Sequence, residues 1–340
     1  MVPEVSENPE AAILSFLAES GDEYASGEAL SGKLGLTKAD VWKYVEALRH
    51  QGYRIDTVPA RGYRLVSKPD TLSALELSWR LETHDIAQRV DYLAQVVSTN
   101  ARAVEWALSG APHGAVVIAE TQTDGRGRRG RKWESPAGLN LYCSLVLRPD
   151  LPPVRAPELT LVGAVAVADA LRGAGIEAVI KWPNDVCVGE RKIAGLLTEL
   201  AAERERVQHV VLGVGVNLNA GPSDFSPEVS AFATSLRQEL GHPVDRAVFA
   251  AALFNRLEHW LDLHEEDGFA AIGRAWRDMA TTLGTEVLVK MEGEELMGQA
   301  VDIDETGALL VLPAGAEKPV RVVAGDVQQM RRHAARSTDF

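Results

Sequence analysis

Five cationic side chains, Arg126, Arg128, Arg129, Arg131 and Lys132, stand within seven residues of a chain whose formal net charge is −13. Gly125, Gly127 and Gly130 are interleaved with them. Guanidinium forks match carboxylate and phosphate oxygens bidentately, and glycines let the backbone bend and bring its N–H groups close to a bound group. The stretch Thr121 to Trp133 therefore reads as a loop that closes over a small, multiply charged anion. Gly125-x-Gly127-x-x-Gly130 formally satisfies the dinucleotide fingerprint and follows the strand-like Val116–Ala119. The helix that fingerprint needs does not follow, because Trp133-Glu134-Ser135-Pro136-Ala137-Gly138 breaks any helical pattern. An Arg/Gly-rich RNA-binding segment would be longer and repetitive. An ordinary solvated turn leaves unexplained why no acidic residue accompanies the cations between Gly125 and Trp133.

A second informative run is Ile180-Lys181-Trp182-Pro183-Asn184-Asp185-Val186-Cys187-Val188, turning through Gly189-Glu190-Arg191 into Lys192-Ile193-Ala194-Gly195-Leu196-Leu197. It reads as a strand hairpin with Lys181, Asn184, Asp185 and Lys192 near its ends. Pro183 would interrupt a ladder and so puts the Asn-Asp pair at a bulge or bend; the same pair is also an ordinary turn. Ser98-Thr99-Asn100 leads into a helix carrying Val104 and Leu108. These residues serve equally as an N-cap or as hydrogen-bonding groups for a ligand at a helix N-terminus. In Gly213-Val214-Gly215-Val216-Asn217 the glycines allow a ligand or a second backbone to approach closely. Cys143 and Cys187 lie in apolar runs without metal spacing and read as buried thiols.

The elements that must position these groups follow from periodicity. With 340 residues, two or three domains are expected, and 46% hydrophobic against 24% charged residues excludes a disordered chain. No apolar run approaches the length of a membrane span, and Met1-Val2-Pro3-Glu4 lacks the regions of a signal peptide, so a cytoplasmic protein with no membrane association is expected. Asn8-Pro9 opens a helix whose Ile13, Leu14 and Leu17 share a face. Ser26 caps a second helix that Gly35 stops. Thr37 and Asp40 resemble a capping box before a third, with Val41, Val45 and Leu48 as its buried stripe.

Lys38, Trp42, Lys43 and Arg49 fall off that stripe, where a recognition helix presents its groove-facing side chains. Gly52 to Val66, with Arg61 at the tip, reads as the hairpin of a winged helix. From Lys33 to Lys68 there are eight Lys/Arg against three Asp/Glu, so the local charge is opposite in sign to the global one. A small packing module with a basic surface would share these features. After a linker around Ser67-Lys68-Pro69-Asp70 the pattern changes to apolar strands alternating with helices. Leu93–Val97 and Leu141–Leu147 read as strands, Pro157–Leu171 as a buried helix, and Glu203 to Arg206 as a solvated loop. The run His84 to Asp91 suggests nothing beyond surface.

Gly125-Arg-Gly-Arg-Arg-Gly-Arg-Lys-Trp133, Lys181-Trp-Pro-Asn-Asp185, Lys192-Ile-Ala-Gly195 and Gly213-Val-Gly-Val-Asn217 resemble the signature segments of biotin protein ligases, in the family's order. With the winged helix in front, the chain resembles the bifunctional form that doubles as a biotin operon repressor. The resemblance implies an α+β architecture in three parts. These are a winged helix-turn-helix over 1–68, a class II synthetase-like ligase domain with a mixed sheet and helices over 69–280, and a small SH3-like β-barrel over 281–340.

It also implies ATP-dependent formation of biotinyl-5′-adenylate and transfer of biotin to a lysine of a biotin carboxyl carrier protein, with Mg²⁺ assisting. Operator DNA and a second copy of the chain, as a homodimer, are the further partners implied. The biotin pocket falls to Ser98, Thr99, Asn100, Gln122, Arg126, Gly127, Arg128, Lys192, Gly195, Leu197 and Gly213. The ATP side falls to Arg129, Arg131, Trp133, Lys181, Asn184 and Asn217, with Trp133 near the adenine and Asn217 bonding to it. Arg128, Arg131, Lys192 and Asp185 are the catalytic candidates, Asp185 toward either Mg²⁺ or the incoming amine, and the metal ligands stay unassigned. Gly221 to Phe232 resembles the family's loop over the adenine. A biotin-sensing regulator without turnover and a lipoate or other acyl ligase are the competing readings; the phosphate-binding cations weigh against the first.

Overall fold

The computed structural model describes residues 8–203, 206–291 and 293–329. The chain ends within the expected first and last domains, and Arg204 and Glu205 of the expected solvated loop, lie outside the described residues. Two compact units emerge. One comprises the chain up to Glu82 together with Asp245–Ala251, the other Thr83–Val244 and the chain from Ala252 onward.

In the first unit, helices α1 (Pro9–Glu19), α2 (Gly27–Leu34) and α3 (Lys38–His50) precede the antiparallel hairpin β1 (Arg54–Val58) and β2 (Gly62–Ser67). The caps are those the sequence predicts. Asn8 accepts from the N–H groups of Glu10 and Ala11, Ser26 from Ala29, and Thr37 and Asp40 form a reciprocal capping box. Gly35 ends α2 at φ 65°, where a side chain would be strained. Ile13, Leu14, Leu17, Leu30, Val41, Val45 and Leu48 bury one core. Each such side chain stabilises the unit by about 1.5–3 kcal/mol relative to exposure.

The first unit extends past Lys68 for an electrostatic reason. Glu76, on the short helix α4 (Ala74–Ser78), is fully buried, accepts a hydrogen bond from the Tyr53 hydroxyl, and pairs with Arg80 at 2.6 Å and Lys68 at 3.2 Å. A carboxylate out of water is tolerated only when so paired. This binds the segment after the hairpin to the winged helix.

The second unit is built on a seven-stranded mixed sheet ordered β3-β4-β5-β9-β8-β7-β6. Along the chain these are β3 (Val90–Leu93), helix α5 (Thr99–Leu108), β4 (Val116–Ala119), β5 (Leu141–Leu147), helix α6 (Glu158–Gly173), β6 (Ala178–Lys181), β7 (Asp185–Val188), β8 (Arg191–Glu203) and β9 (Arg206–Val216). Only β3–β4 is parallel. The strand expected at Leu93–Val97 lies at Val90–Leu93 instead. Its ladder ends where its partner β4 ends, and only an isolated bridge between Val96 and Gln122 continues it. Helix α6 lies close on the sheet, where a Cβ at Gly163 would stand 2.7 Å from Leu196.

Short helices α7 (Pro227–Ser230) and α8 (Leu236–Leu240) lead to α9 (Arg246–Asp267) and α10 (Phe269–Met279). The Glu258 carboxylate on α9 accepts the backbone N–H groups of His84, Asp85 and Ile86, which gives the uninformative run at His84 a structural purpose. The chain closes with an antiparallel sheet of β10 (Glu286–Lys290), β11 (Glu295–Ile303), β12 (Leu309–Leu312), β13 (Val320–Val322) and β14 (Asp326–Gln329), ordered β13-β12-β11-β10-β14.

Candidate active site

A cavity of about 590 Å³ in the second unit gathers side chains from eight separate stretches of sequence. Its polar end is the N-terminus of α5. Ser98 caps the helix by accepting from the Ala101 N–H, and the Thr99 N–H donates to Gln122 Oε1 at 2.9 Å. Asn100 Nδ2 reaches across to the Leu197 carbonyl on β8 at 3.2 Å. The groups are thus both cap and cavity wall.

The glycine-arginine loop forms one side. Its stem is closed by the Trp133 N–H donating to Gly125 O at 2.8 Å and the Gly127 N–H donating to Arg131 O at 2.7 Å. At the tip Arg129 adopts φ 55°, a conformation that costs a non-glycine residue about 1 kcal/mol or more. No helix follows, only a single 3₁₀ turn over Arg128–Gly130, so the dinucleotide reading fails on structure as it does on sequence.

Arg128 donates to Asn184 Oδ1 at 3.3 Å and to the Gly325 carbonyl at 3.2 Å, and burial lowers the proton affinity of its guanidinium. Arg131 and Arg129 pair with Asp326, and Arg129 also donates to the Lys290 carbonyl at 2.9 Å. The cations, with no acidic residue among them from Gly125 to Trp133, find one almost two hundred residues later. Arg126 and Lys132 remain exposed.

Opposite the loop, Lys192 on β8 forms an ion pair of 2.6 Å with Asp185 on β7, and its ammonium lies 5.3 Å from the Trp133 ring. The Trp133 indole rests on two glycines. A Cβ at Gly215 would stand 2.6 Å from it and one at Gly195 3.0 Å, so the strands beneath must be bare. Its Nε1 is buried without a hydrogen-bond partner among the described residues. Between β6 and β7 the chain turns through Trp182 and Pro183, joined by a cis peptide bond, and β7 is bulged against β8 between Val186 and Cys187. Asn184 is anchored there by Nδ2 donating to the Leu196 carbonyl at 2.6 Å.

Asn217 is buried, its Nδ2 donating to the Thr234 carbonyl at 3.0 Å. The loop after β9 is tied in by the Ser226 N–H donating to Glu134 at 2.9 Å, and presents Phe225, Val229 and Phe232 to the cavity. Of the predicted biotin and ATP residues all but Arg129 line this one cavity. The sequence reading singled out Gly215 only by the glycine spacing around Val214, and missed Glu190, Lys290 and the Asp326–Gln328 stretch of β14. Seven cationic side chains line the wall against four carboxylates, an excess suited to polyphosphate. Cys143 and Cys187 are free and buried, their thiols pushed up by burial to about 12 and about 11, and so are unreactive.

The predicted DNA-facing residues belong to the first unit. Lys38, Trp42 and Lys43 are exposed on α3, Trp42 to 59%. Arg61 stacks on Tyr24 at the hairpin tip. Arg49 instead donates to the Ile55 carbonyl and to Thr57 Oγ1, bracing helix against hairpin.

Three family models match the chain: a helix-turn-helix (HTH) domain over residues 10–64, the biotin/lipoate A/B protein ligase family over 92–217, and the biotin protein ligase C-terminal domain over 282–329. The bifunctional ligase/repressor BirA of Bacillus subtilis is 38% identical over 300 residues, covering 88% of this chain and 92% of that one. The chain belongs to the biotin protein ligase family. BirA of Escherichia coli is 35% identical over 308 residues, covering 90% of this chain and 93% of its own. The biotin protein ligase of Aquifex aeolicus in complex with biotin and ATP superposes with a TM-score of 0.62 at 30% identity, over 72% of this chain and 99% of that one. In this biotin protein ligase the central match carries all four signature runs. The outer matches fall on the winged helix and the C-terminal sheet.

Proposed function

We propose that this chain is a bifunctional ligase and repressor. It activates biotin with ATP as biotinyl-5′-adenylate, transfers biotin to a lysine of a biotin carboxyl carrier protein, and binds operator DNA through its winged helix. The observation that carries the reading is the cavity itself. One end is neutral and hydrogen-bonding, as a ureido ring requires. The rest carries an excess of cations, as a triphosphate requires.

In the first step a carboxylate oxygen of biotin forms a bond to the α-phosphorus, the bond from that phosphorus to the bridging oxygen breaks, and pyrophosphate leaves. Bringing carboxylate and phosphate together costs about 4 kcal/mol per unit-charge pair at close range. Lys192 and Arg128 offset it from fixed positions, so no reorganisation is needed as charge develops. In the second step the carrier lysine's amine attacks the acyl carbon, the acyl–oxygen bond to AMP breaks, and the amine loses a proton. The loop from Gly125 to Trp133 excludes water from the anhydride meanwhile.

Mg²⁺ fits as an ion held chiefly by the nucleotide's phosphates. Among the described residues no three His, Cys, Asp or Glu side chains gather to cage a metal; Asp185 beside Lys192 and Asp326 beside Arg129 and Arg131 are separate carboxylates among the cations. When bound, the ion neutralises phosphate charge. The parts 1–68, 69–280 and 281–340 carry DNA reading, catalysis and loop anchorage. Repression by a homodimer formed on the adenylate, in the cytoplasm, completes the proposal. Among the described residues no helix is long and apolar enough to cross a membrane.

The test is incubation with ATP, Mg²⁺ and, in parallel, biotin, lipoate or octanoate, with mass detection of the acyl-adenylate. A biotin adenylate supports the reading. Adenylate from lipoate alone, or binding of biotin without any adenylate, overturns it.

A further inference from the structure

Behind the polar end of the cavity lies a hydroxyl that is not part of its wall. Ser144 on β5 is fully buried and stands opposite Gly213 of β9 in the ladder. Its Oγ is 2.6 Å from Asn100 Oδ1 and 2.8 Å from Thr99 Oγ1. Hydrogen-bond chemistry fixes the direction of each contact. Asn100 Nδ2 faces the Leu197 carbonyl, which can only accept, so the carboxamide is set with Oδ1 toward Ser144. That oxygen has no proton, so Ser144 must give it the one it has.

The Thr99 hydroxyl then donates, to Ser144 Oγ or to Gln122 Oε1 at 3.1 Å. Gln122 Oε1 already accepts the Thr99 N–H, which turns its Nε2 to Ser135 Oγ at 3.1 Å. Ser135 Oγ in turn lies 3.3 Å from the Trp133 carbonyl, at the end of the arginine loop. The Leu197 carbonyl and this one buried proton together fix which atoms of Asn100 and Thr99 donate and which accept. Gly213 adds to this, because a Cβ there would stand 2.0 Å from Asn100 Oδ1 and push the carboxamide off the strand.

We propose that Ser144 is a positioning residue for recognition of the neutral ring at this end of the cavity, acting through Asn100 and Thr99. The proposal rests on the ligase reading, in which that ring is biotin's ureido group. Without the hydroxyl, Asn100 Oδ1 loses its donor and the carboxamide is held only through Nδ2 at the Leu197 carbonyl, so it shifts from the position the ligand requires.

The test compares the full chain with Ser144→Ala and Ser144→Cys, the latter retaining a weak donor. In S144A the KM for biotin rises about tenfold, the loss of one oriented hydrogen bond. The kcat at saturating biotin and the KM for ATP stay within about twofold, and S144C falls between. A crystal structure of unliganded S144A shows the Asn100 carboxamide displaced. An unchanged KM for biotin with Asn100 in place overturns the proposal. So does an equal change in both KM values and kcat together with a lowered Tm and no rescue in S144C, the pattern of a merely structural residue. If Asn100 is displaced in S144A but the unsubstituted chain binds no biotin, the positioning role stands and the ligase reading falls.

Discussion

The Lys192 ammonium and the Asp185 carboxylate are 2.6 Å apart, on adjacent antiparallel strands, with the Trp133 ring above the ammonium. The pair is about one quarter exposed and faces the cavity. It is therefore held by geometry while remaining available to a ligand. Lys192→Ala is expected to slow adenylate formation by about 10²–10³-fold, the usual effect of removing a preorganised charge. Asp185→Asn leaves the ammonium in place but unanchored and has a smaller effect on that step. Tm shifts by no more than about 3 °C in either, since a part-exposed pair adds little to stability. Pyrophosphate exchange and thermal unfolding measure the two; an unchanged exchange rate in K192A would remove the lysine from the chemistry.

The indole of Trp133 needs Gly215 bare. Gly215→Ala places a methyl 2.6 Å from the ring, and overpacking of this kind costs about 1–3 kcal/mol. The KM for ATP rises in the single variant. Combining it with Trp133→Ala restores the stability lost to the clash, because removing the indole removes what the added methyl meets. Additive losses in the double variant would show that the strain lies elsewhere.

Glu158 on α6 is fully buried, paired bidentately with Arg155 and hydrogen-bonded by His264 at 2.7 Å. Burial pushes its carboxyl up, but the bonds from His264 and Arg155 outweigh it and hold the group below its ordinary 4.5. A carboxyl depressed in the folded state contributes stability that is complete above its unfolded value and is lost as pH falls through the folded one. Thermal stability of the chain therefore declines below about pH 4.5, and Glu158→Gln is less stable at neutral pH with a shallower acid limb. Parallel limbs in the two proteins would contradict the assignment.

On the winged helix the two kinds of cation separate. Lys38→Ala and Lys43→Ala are expected to weaken duplex binding and lower the salt slope by about 0.9 for each phosphate no longer neutralised. Arg49→Ala instead loses about 1–2 kcal/mol of stability, because the Ile55 carbonyl and Thr57 lose their donor. Titration of duplex DNA at several salt concentrations, with unfolding of the same variants, distinguishes them. A loss of DNA affinity in R49A without loss of stability would reverse the roles.

By itself the sequence determined everything that rests on neighbours along the chain. The caps at Asn8, Ser26 and Thr37, the αL stop at Gly35, the apolar stripe of α3, the bend after Lys181 and the cationic loop at Gly125 are all set by local backbone preference and side-chain spacing. Tertiary structure alone decided what those groups face. It brought Asp326 to Arg131, Ser144 to Asn100, Glu258 to the amides at His84, and the Trp133 ring onto Gly195 and Gly215. Such pairs join distant segments and leave no period in the sequence. A buried polar or charged group is stable only where a partner meets it, and that place exists only once the sheet has assembled.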